Sequence, residues 1–320
     1  MKTTKIPVLV IFAPTASGKT ALSLDLFGKG SLLHFKQRIN AQIISADSMQ
    51  VYRQMNIGTA KPSEDLLNQL PHHLIDIRNV NEQFNVGDFI IEADAACKAI
   101  WEQNCLPVIE GGTGFYIRSF LLGLPKTPES DPIIRNKLKD EAKEFGCDVL
   151  YKRLQQVDPE SALKININDE YRIIRALEVY QMTGKPRSAF KVENSLRDYY
   201  DFFTIILNRD RQELYDRIDE RVEIMFDQGL EDEVKSLIAK GYKSTDPGMQ
   251  AIGYREFFES DDVDYIKARI KHNSHKYAKK QYIFMKGIPN AKIYNISDNT
   301  SNNELYEDIL NFCSKYSCLT

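Results

Sequence analysis

The stretch Pro7-Val8-Leu9-Val10-Ile11-Phe12, followed by Ala13-Pro14-Thr15-Ala16-Ser17-Gly18-Lys19-Thr20 and then Ala21-Leu22-Ser23-Leu24, decides the fold. An unbroken apolar run reads as a strand covered on both faces, since a half-wet strand would alternate. The polar, glycine-containing segment reads as a loop and the alanine-leucine stretch as the start of a helix. The loop matches the phosphate-binding pattern G-x-x-x-x-G-K-[ST], except that Ala13 stands at the first glycine. In that pattern, backbone amides and the helix N-terminus point at phosphates. Lys19 adds a neutralising charge, Gly18 allows close backbone approach, and the Thr20 hydroxyl is placed to bind Mg²⁺. Ala13 is tolerable if its φ is negative.

Working outward, a second strand is expected at Ala41–Ser45 and a third at Leu106–Glu110, running into Gly111-Gly112. A helical stretch, Val86 to Asn104, precedes the third. Strands alternating with helices argue for a parallel sheet wrapped on both sides. The pattern changes at the turn-rich run Lys126–Pro132. Three helical patterns follow, the first capped by Ser130 or Asp131 with Pro132 in its first turn. The third runs from Asp169 through Arg172, Ile173, Leu177 and Tyr180 and stops at Gly184-Lys185-Pro186. A strand-like segment, Phe202–Leu207, then returns the chain to the sheet. Helical patterns dominate the rest, with a polar tail from Ser297 to Asn303 and a last short helix from Glu304 to Phe312. The reading is an α/β fold: a P-loop NTPase-like parallel sheet wrapped by helices, from residues 1–125 and 200–320, with a helical insertion domain at 126–199.

The 320 residues are 42% hydrophobic and 27% charged, a soluble globular balance. No apolar run approaches the roughly 18 residues that cross a bilayer. The apolar run Val8–Ala13 ends in Pro14, too soon for a signal peptide, so a cytosolic chain with no membrane partner is expected. Cys97, Cys105, Cys147, Cys313 and Cys318 form no C-x-x-C pair and read as small buried hydrophobes in a reducing compartment. Formal net charge is −3, yet Lys267 to Lys286 holds seven Lys or Arg and no acid, which leaves −10 on the remainder. That asymmetry fits a polyanion-binding face, or a solvated basic helix face.

A phosphate loop does not say what becomes of the phosphates. The second strand ends in Ser45-Ala46-Asp47-Ser48-Met49-Gln50-Val51-Tyr52. Strand C-terminal ends are where ligands sit in such sheets, so Asp47 reads as a magnesium-binding aspartate, as a contact to an acceptor, or as a turn cap. In the helix expected from Asp210 to about Gln228, Leu214, Ile218, Val222 and Met225 form an apolar stripe, with Arg221 inside it and Arg217 at its edge. An arginine there needs an anion, either an internal carboxylate or a bound phosphate.

Five segments then occur in a fixed order: Ala13–Thr20, Asp47–Tyr52, Asn56-Ile57-Gly58-Thr59-Ala60-Lys61-Pro62, Gly111-Gly112-Thr113 and Ile252-Gly253-Tyr254-Arg255. Together with Pro71-His72-His73-Leu74-Ile75-Asp76 and the run Asn168–Val179, they resemble the tRNA dimethylallyltransferase family over nearly the whole chain. The resemblance implies a P-loop fold turned to alkyl transfer, with dimethylallyl pyrophosphate and a tRNA base meeting in a channel. Ala13 to Thr20 fall on the family's pyrophosphate-binding loop, with Thr20 toward Mg²⁺. Asp47 falls on the residue that accepts from the adenine N6 amine, Thr113 lies near the same centre, and Arg221 falls on a pyrophosphate clamp. Segments implied to contact tRNA contain Asp47, Ser48, Met49 and Gln50; Arg135; Tyr171, Arg172, Ile173, Ile174 and Arg175; Gln250, Gly253, Tyr254 and Arg255; and Lys279, Lys280 and Gln281. The chain departs from the family's R-Q-x-T-W-x-R-like run, keeping Gln281 but carrying Ile283 and Phe284.

The chemistry suits these residue types. An exocyclic adenine amine is a poor nucleophile, so the allyl pyrophosphate must be activated where its leaving charge develops, by Lys19, loop amides and Mg²⁺. Asp47 can take the N6 proton. Tyr52, Phe115 and Tyr116 are aromatic candidates for holding an extruded base. The expected partners are a tRNA anticodon stem-loop and dimethylallyl pyrophosphate, with the chain acting as a monomer. Three other readings stay open: a P-loop nucleotide or small-molecule kinase, a non-catalytic RNA-binding module, and a prenyltransferase acting on free AMP.

Overall fold

The computed structural model describes residues 5–29, 39–191, 195–297, 302–316 and 319. Cys318 and positions 298–301 of the polar tail lie outside the described residues. In chain order the elements are β1 (Ile6–Phe12), α1 (Lys19–Phe27), β2 (Ala41–Ser45), α2 (Glu64–Gln69), β3 (His72–His73), α3 (Val86–Glu102), β4 (Leu106–Gly111) and α4 (Gly114–Leu122). Then come α5 (Pro132–Phe145), α6 (Cys147–Val157), α7 (Pro159–Ala162) and α8 (Glu170–Thr183). The chain ends with β5 (Tyr200–Asn208), α9 (Arg211–Asp227), α10 (Leu230–Ala239), α11 (Val263–Met285), β6 (Ala291–Asn295) and α12 (Asn303–Cys313).

All strand pairings are parallel, in the order β3-β2-β4-β1-β5-β6. The central strand β1 is buried along its whole length. It pairs with β4 (Leu9 opposite Val108) on one side and β5 (Val8 opposite Phe202) on the other. Leu9, Ile11 and Val108 join Leu22, Leu26 and Phe27 of α1, and Ile309 and Phe312 of α12, in one apolar cluster. The chain leaves β1 through α1 and skips one slot to reach β2, and β4 later fills that slot. The carboxyl ends of β1, β2 and β4 therefore frame the crevice in which such sheets bind ligands.

Two strands escaped the sequence reading. β3 is two residues long, and β6 is an edge strand with Lys292 and Ile293 exposed and Tyr294 buried. Neither carries a periodic apolar run. No helix among the described residues is long and apolar enough to cross a membrane. Cys97 and Cys313 are buried, but Cys105 and Cys147 are half-buried, which corrects the expectation for those two.

The chain divides into two compact units, Met1–Leu121 with Leu196–Thr320, and Leu122–Ser195. The smaller is all helix. Asp131 caps α5 by accepting from the Ile133 and Ile134 amides, with Pro132 in the first turn, and Gly184 (φ 67°) ends α8. Its core is Leu138, Leu150, Leu154, Ile173, Ile174 and Leu177. Glu178 is buried beside them and is satisfied by Ser130, Arg135 (2.9 Å) and Arg175 (2.7 Å).

Candidate active site

The phosphate loop hangs between β1 and α1. Its left-handed positions are Ala16 (φ 59°) and Gly18 (φ 93°), while Ala13 is not among the positive-φ residues. A side chain at the first position thus costs no backbone strain, and Ala13 is fully buried. Ser17 turns inward, its hydroxyl donating to the Pro14 carbonyl at 2.8 Å. Ala13, Pro14 and Ser17 therefore build the loop, and Thr15, Ala16, Gly18, Lys19 and Thr20 wall the cavity.

The Lys19 ammonium makes no hydrogen bond or ion pair among the described residues. Burial lowers its pKa from the ordinary lysine value, against the pull of the Glu110 and then the Asp47 carboxylates, with Arg221 adding to the fall. Helix α9 is capped by Asp210 and buries Leu214, Ile218, Val222 and Met225. That packing aims two arginines at the loop. Arg217 Nε donates to the Ala16 carbonyl at 3.0 Å, and Arg221 Nη1 donates to Thr15 Oγ1 at 3.2 Å. Arg221 has no carboxylate in ion-pair contact among the described residues. Burial lowers its pKa, with Asp47 as the opposing charge. Of the two anions possible for Arg221, the internal carboxylate is thus not the one found.

Asp47 stands at the end of β2. Its Oδ1 accepts from the amides of Met49 (2.8 Å) and Gln50 (3.3 Å), leaving Oδ2 without a partner among the described residues. Thr113 Oγ1 accepts from the Ser48 amide at 3.0 Å, so it holds the turn that presents Asp47. Two cavities open on this carboxylate. One, of about 510 Å³, is walled by the phosphate loop, Arg217 and Gln281; the other, of about 270 Å³, by Ile218, Val222, Met225, Ile252 and Ile270. Both are also lined by Thr15, Asp47, Thr59, Arg221 and Tyr277. Burial, and then the charge of Asp47, push the Tyr277 hydroxyl up to about 12, so it stays a neutral donor.

The Asn56–Pro62 run frames this wall. Lys61, with its side chain 5% exposed, donates to the Tyr52 carbonyl (2.8 Å), Asn56 Oδ1 (2.9 Å) and Asp76 Oδ1 (2.6 Å). Gln50 bridges Ser45 to the carbonyls of Thr59 and Ala60. Glu233 accepts from the amides of Asn56 and Ile57 and from the Tyr254 hydroxyl. A Cβ at Gly58 would strike the Tyr254 ring, so only glycine fits.

Several residues expected to meet tRNA lie elsewhere. Ile173 and Ile174 are in the helical core because α8 turns that face inward, while Tyr171 and Arg172 are exposed. Arg135 and Arg175 are held by Glu178. Tyr254 is fully buried. Gln281 is buried too; it accepts from the Thr15 amide and donates to the Gly112 carbonyl at 2.8 Å, so it is a strut under the loop. By contrast, Gln250, Gly253 and Arg255 all line the smaller cavity, Gln250 exposed and Arg255 paired with Glu256. Of the aromatic candidates, Tyr52 and Tyr116 are core residues and Phe115 is half-exposed. The basic segment is partly neutralised: Lys267 and Lys271 pair with Glu223, and Arg269 with Glu259. Lys276, Lys279, Lys280 and Lys286 are exposed at the other end of α11. Tyr277, which lines both cavities, was not among the expected site residues, nor was Glu110, whose carboxylate accepts from Thr20. The signal for Glu110, an acid at the carboxyl end of an apolar strand, was present.

A family model described as IPP transferase matches residues 50–287. The chain is 44% identical over 282 residues to tRNA dimethylallyltransferase 2 of Geotalea uraniireducens (strain Rf4), covering 87% of this chain and 88% of the relative. It is 39% identical over 308 residues to the tRNA dimethylallyltransferase of Alkaliphilus oremlandii (strain OhILAs), covering 95% and 96%. Among solved structures, a eukaryotic dimethylallyltransferase acting on tRNA superposes with TM-score 0.78 at 25% identity, covering 97% of this chain and 79% of that one. The tRNA isopentenylpyrophosphate transferase of Bacillus halodurans superposes with TM-score 0.68 at 34% identity, covering 97% and 96%.

Proposed function

The chain belongs to the IPP transferase family, and from that premise we propose that it moves a dimethylallyl group from dimethylallyl pyrophosphate to the N6 amine of adenosine 37 in tRNA. The observation that carries this is the pair of cavities meeting at Asp47. A phosphate cradle and an unshared carboxylate oxygen open on the same space.

The larger cavity takes the pyrophosphate against Lys19, the loop amides and Arg221. The smaller, apolar-walled one brings the allyl carbons and the extruded base together beside Tyr277. The N6 lone pair forms a bond to the first allyl carbon as the carbon–oxygen bond breaks. The electron pair of that bond leaves on pyrophosphate, and the N6 proton passes to Asp47 Oδ2. Cations preorganised at the leaving group act where charge develops, which is where electrostatic catalysis is strongest. Mg²⁺ fits the donors, since the Thr20 hydroxyl is a hard oxygen at the first turn of α1. When bound, it would neutralise the departing diphosphate.

The exposed lysines Lys276, Lys279, Lys280 and Lys286 supply charge for tRNA phosphates; in the helical unit, taken by itself, Tyr171 and Arg172 are exposed and suit RNA contact. The proposal takes the chain as a monomer, and tRNA as acceptor sets the work in the cytoplasm. The test is incubation with dimethylallyl pyrophosphate and unmodified tRNA, followed by nucleoside analysis. N6-dimethylallyladenosine is expected. ATP turnover without RNA, and no modified nucleoside, would point to a kinase instead.

A further inference from the structure

Glu110 is the last residue but one of β4, the strand beside β1, and is 4% exposed. Leu106 and Val108, four and two residues before it on the same strand face, pack in the apolar cluster with α1. Glu110 puts a carboxylate where that face predicts another hydrophobe. Two hydroxyls of α1 reach it: Thr20 Oγ1 donates at 2.9 Å, and Ser23 donates to the other oxygen. No cation forms an ion pair with it among the described residues.

A buried carboxylate whose hydrogen-bond partners are all neutral is costly, and Lys19 opposes its charge without pairing with it. This one also lies beneath a cradle built for an anion, where it repels the ligand unless a cation stands between them. A carboxylate can only accept, so Thr20 must give Glu110 its one proton. The Thr20 lone pairs then face away from Glu110. That is the orientation a metal-ligating hydroxyl needs, fixed by its partner as outer-shell groups fix metal ligands elsewhere.

We propose that Glu110 is a positioning residue for a divalent cation at Thr20, orienting the hydroxyl toward the metal and drawing the cation between itself and the pyrophosphate. Asp47 does not take this role. It ends β2, which β4 separates from β1, and its free oxygen opens on the passage shared by the two cavities. The proposal rests on the pyrophosphate reading above.

Glu110→Gln removes the charge, and an amide directed at Thr20 would occupy the lone pair the metal needs. Glu110→Val restores an apolar face to β4. Circular dichroism establishes which variants fold, and Mn²⁺ binding is read by electron paramagnetic resonance with saturating inorganic pyrophosphate. The Mn²⁺ dissociation constant is expected to rise about 10–100-fold, the usual cost of losing an outer-shell partner. Pyrophosphate affinity in EDTA should hold or tighten. A Mn²⁺ constant within about twofold of native in a folded variant overturns the proposal, being far below that range. So does a native chain whose pyrophosphate affinity does not change when Mg²⁺ is added. If the pyrophosphate reading itself is wrong, the native chain binds no pyrophosphate in either buffer, a different result from either.

Discussion

Replacing Asp47 by Asn separates its chemical role from its structural one. Oδ1 holds the turn through the Met49 and Gln50 amides, and an asparagine carbonyl can keep both bonds. What is lost is Oδ2, the oxygen without a partner among the described residues. In its place stands an NH₂ that cannot take a proton. Loss of a general base costs about 10²–10⁴-fold in rate, or about 2.7–5.4 kcal/mol of barrier at about 1.36 kcal/mol per decade. The same carboxylate opposes the cations, since it raises the Lys19 and Arg221 pKa values. Removing it leaves the passage more positive, so dimethylallyl pyrophosphate should bind equally well or more tightly. Asp47→Asn should therefore lose kcat while KM for the pyrophosphate substrate holds or falls. Asp47→Ala should show the same kinetic defect and lose about 1 kcal/mol of stability with its turn hydrogen bonds. Single-turnover transfer from labelled dimethylallyl pyrophosphate to an unmodified anticodon stem-loop measures the step. A rate within about threefold of native refutes the proton-transfer role, and a parallel loss of pyrophosphate affinity shows Asp47 to be a binding group.

Arg221→Ala should lower kcat/KM for dimethylallyl pyrophosphate by about 10²-fold or more, as for loss of a charge-stabilising donor, with tRNA affinity unchanged by filter binding. Lys61→Met strands three acceptors around a buried stem; because Asp76 is 45% exposed, the cost should be about 2 kcal/mol in urea titration rather than that of a fully buried pair. A loss under about 0.5 kcal/mol would show the frame to be held by its other bonds. In the helical unit, burial pushes the Glu178 pKa up, but Ser130, Arg175 and Arg135 outweigh it and hold it below the usual carboxylate value. A depressed carboxylate stabilises above its unfolded pKa of about 4.3, and that stability is lost as pH falls through the lower folded value. Glu178→Gln should thus be less stable at neutral pH and flatter through the acid range in denaturant titrations; an unchanged acid slope would place the linkage elsewhere.

How much of this could be read beforehand follows from what each residue needs from its neighbours. The central strands were legible because full burial forces unbroken apolar runs, and β2 falls at Ala41–Ser45, where those runs place it. Edge strands carry no such demand: β6 exposes Lys292 and Ile293 and shows no periodic signal. The loop and Arg221 were legible for a related reason, since glycine, lysine and an arginine on an apolar face have few uses other than holding an anion. The Asn56–Pro62 run was visible only by resemblance. Its work is three bonds from Lys61 to Tyr52, Asn56 and Asp76, which no periodicity announces, and the close approach of Gly58 to Tyr254, far along the chain.

The run Tyr171–Arg175 shows why resemblance and geometry part. A contiguous stretch assigns all five residues to one role, but a helix turns about 100° per residue. Tyr171 and Arg172 emerge, Ile173 and Ile174 enter the core, and Arg175 returns on a flank where Glu178 waits for it. No five-residue run on a half-buried helix can face one ligand throughout. Glu110 is the converse case, a single residue whose type contradicts its strand. Its neighbours obey the rule for a buried face, so a carboxylate there must answer to something outside the apolar core. The two hydroxyls of α1 answer to its hydrogen-bonding capacity but carry no charge, Lys19 opposes it without an ion pair, and Thr20, which bonds it, also walls the phosphate cavity.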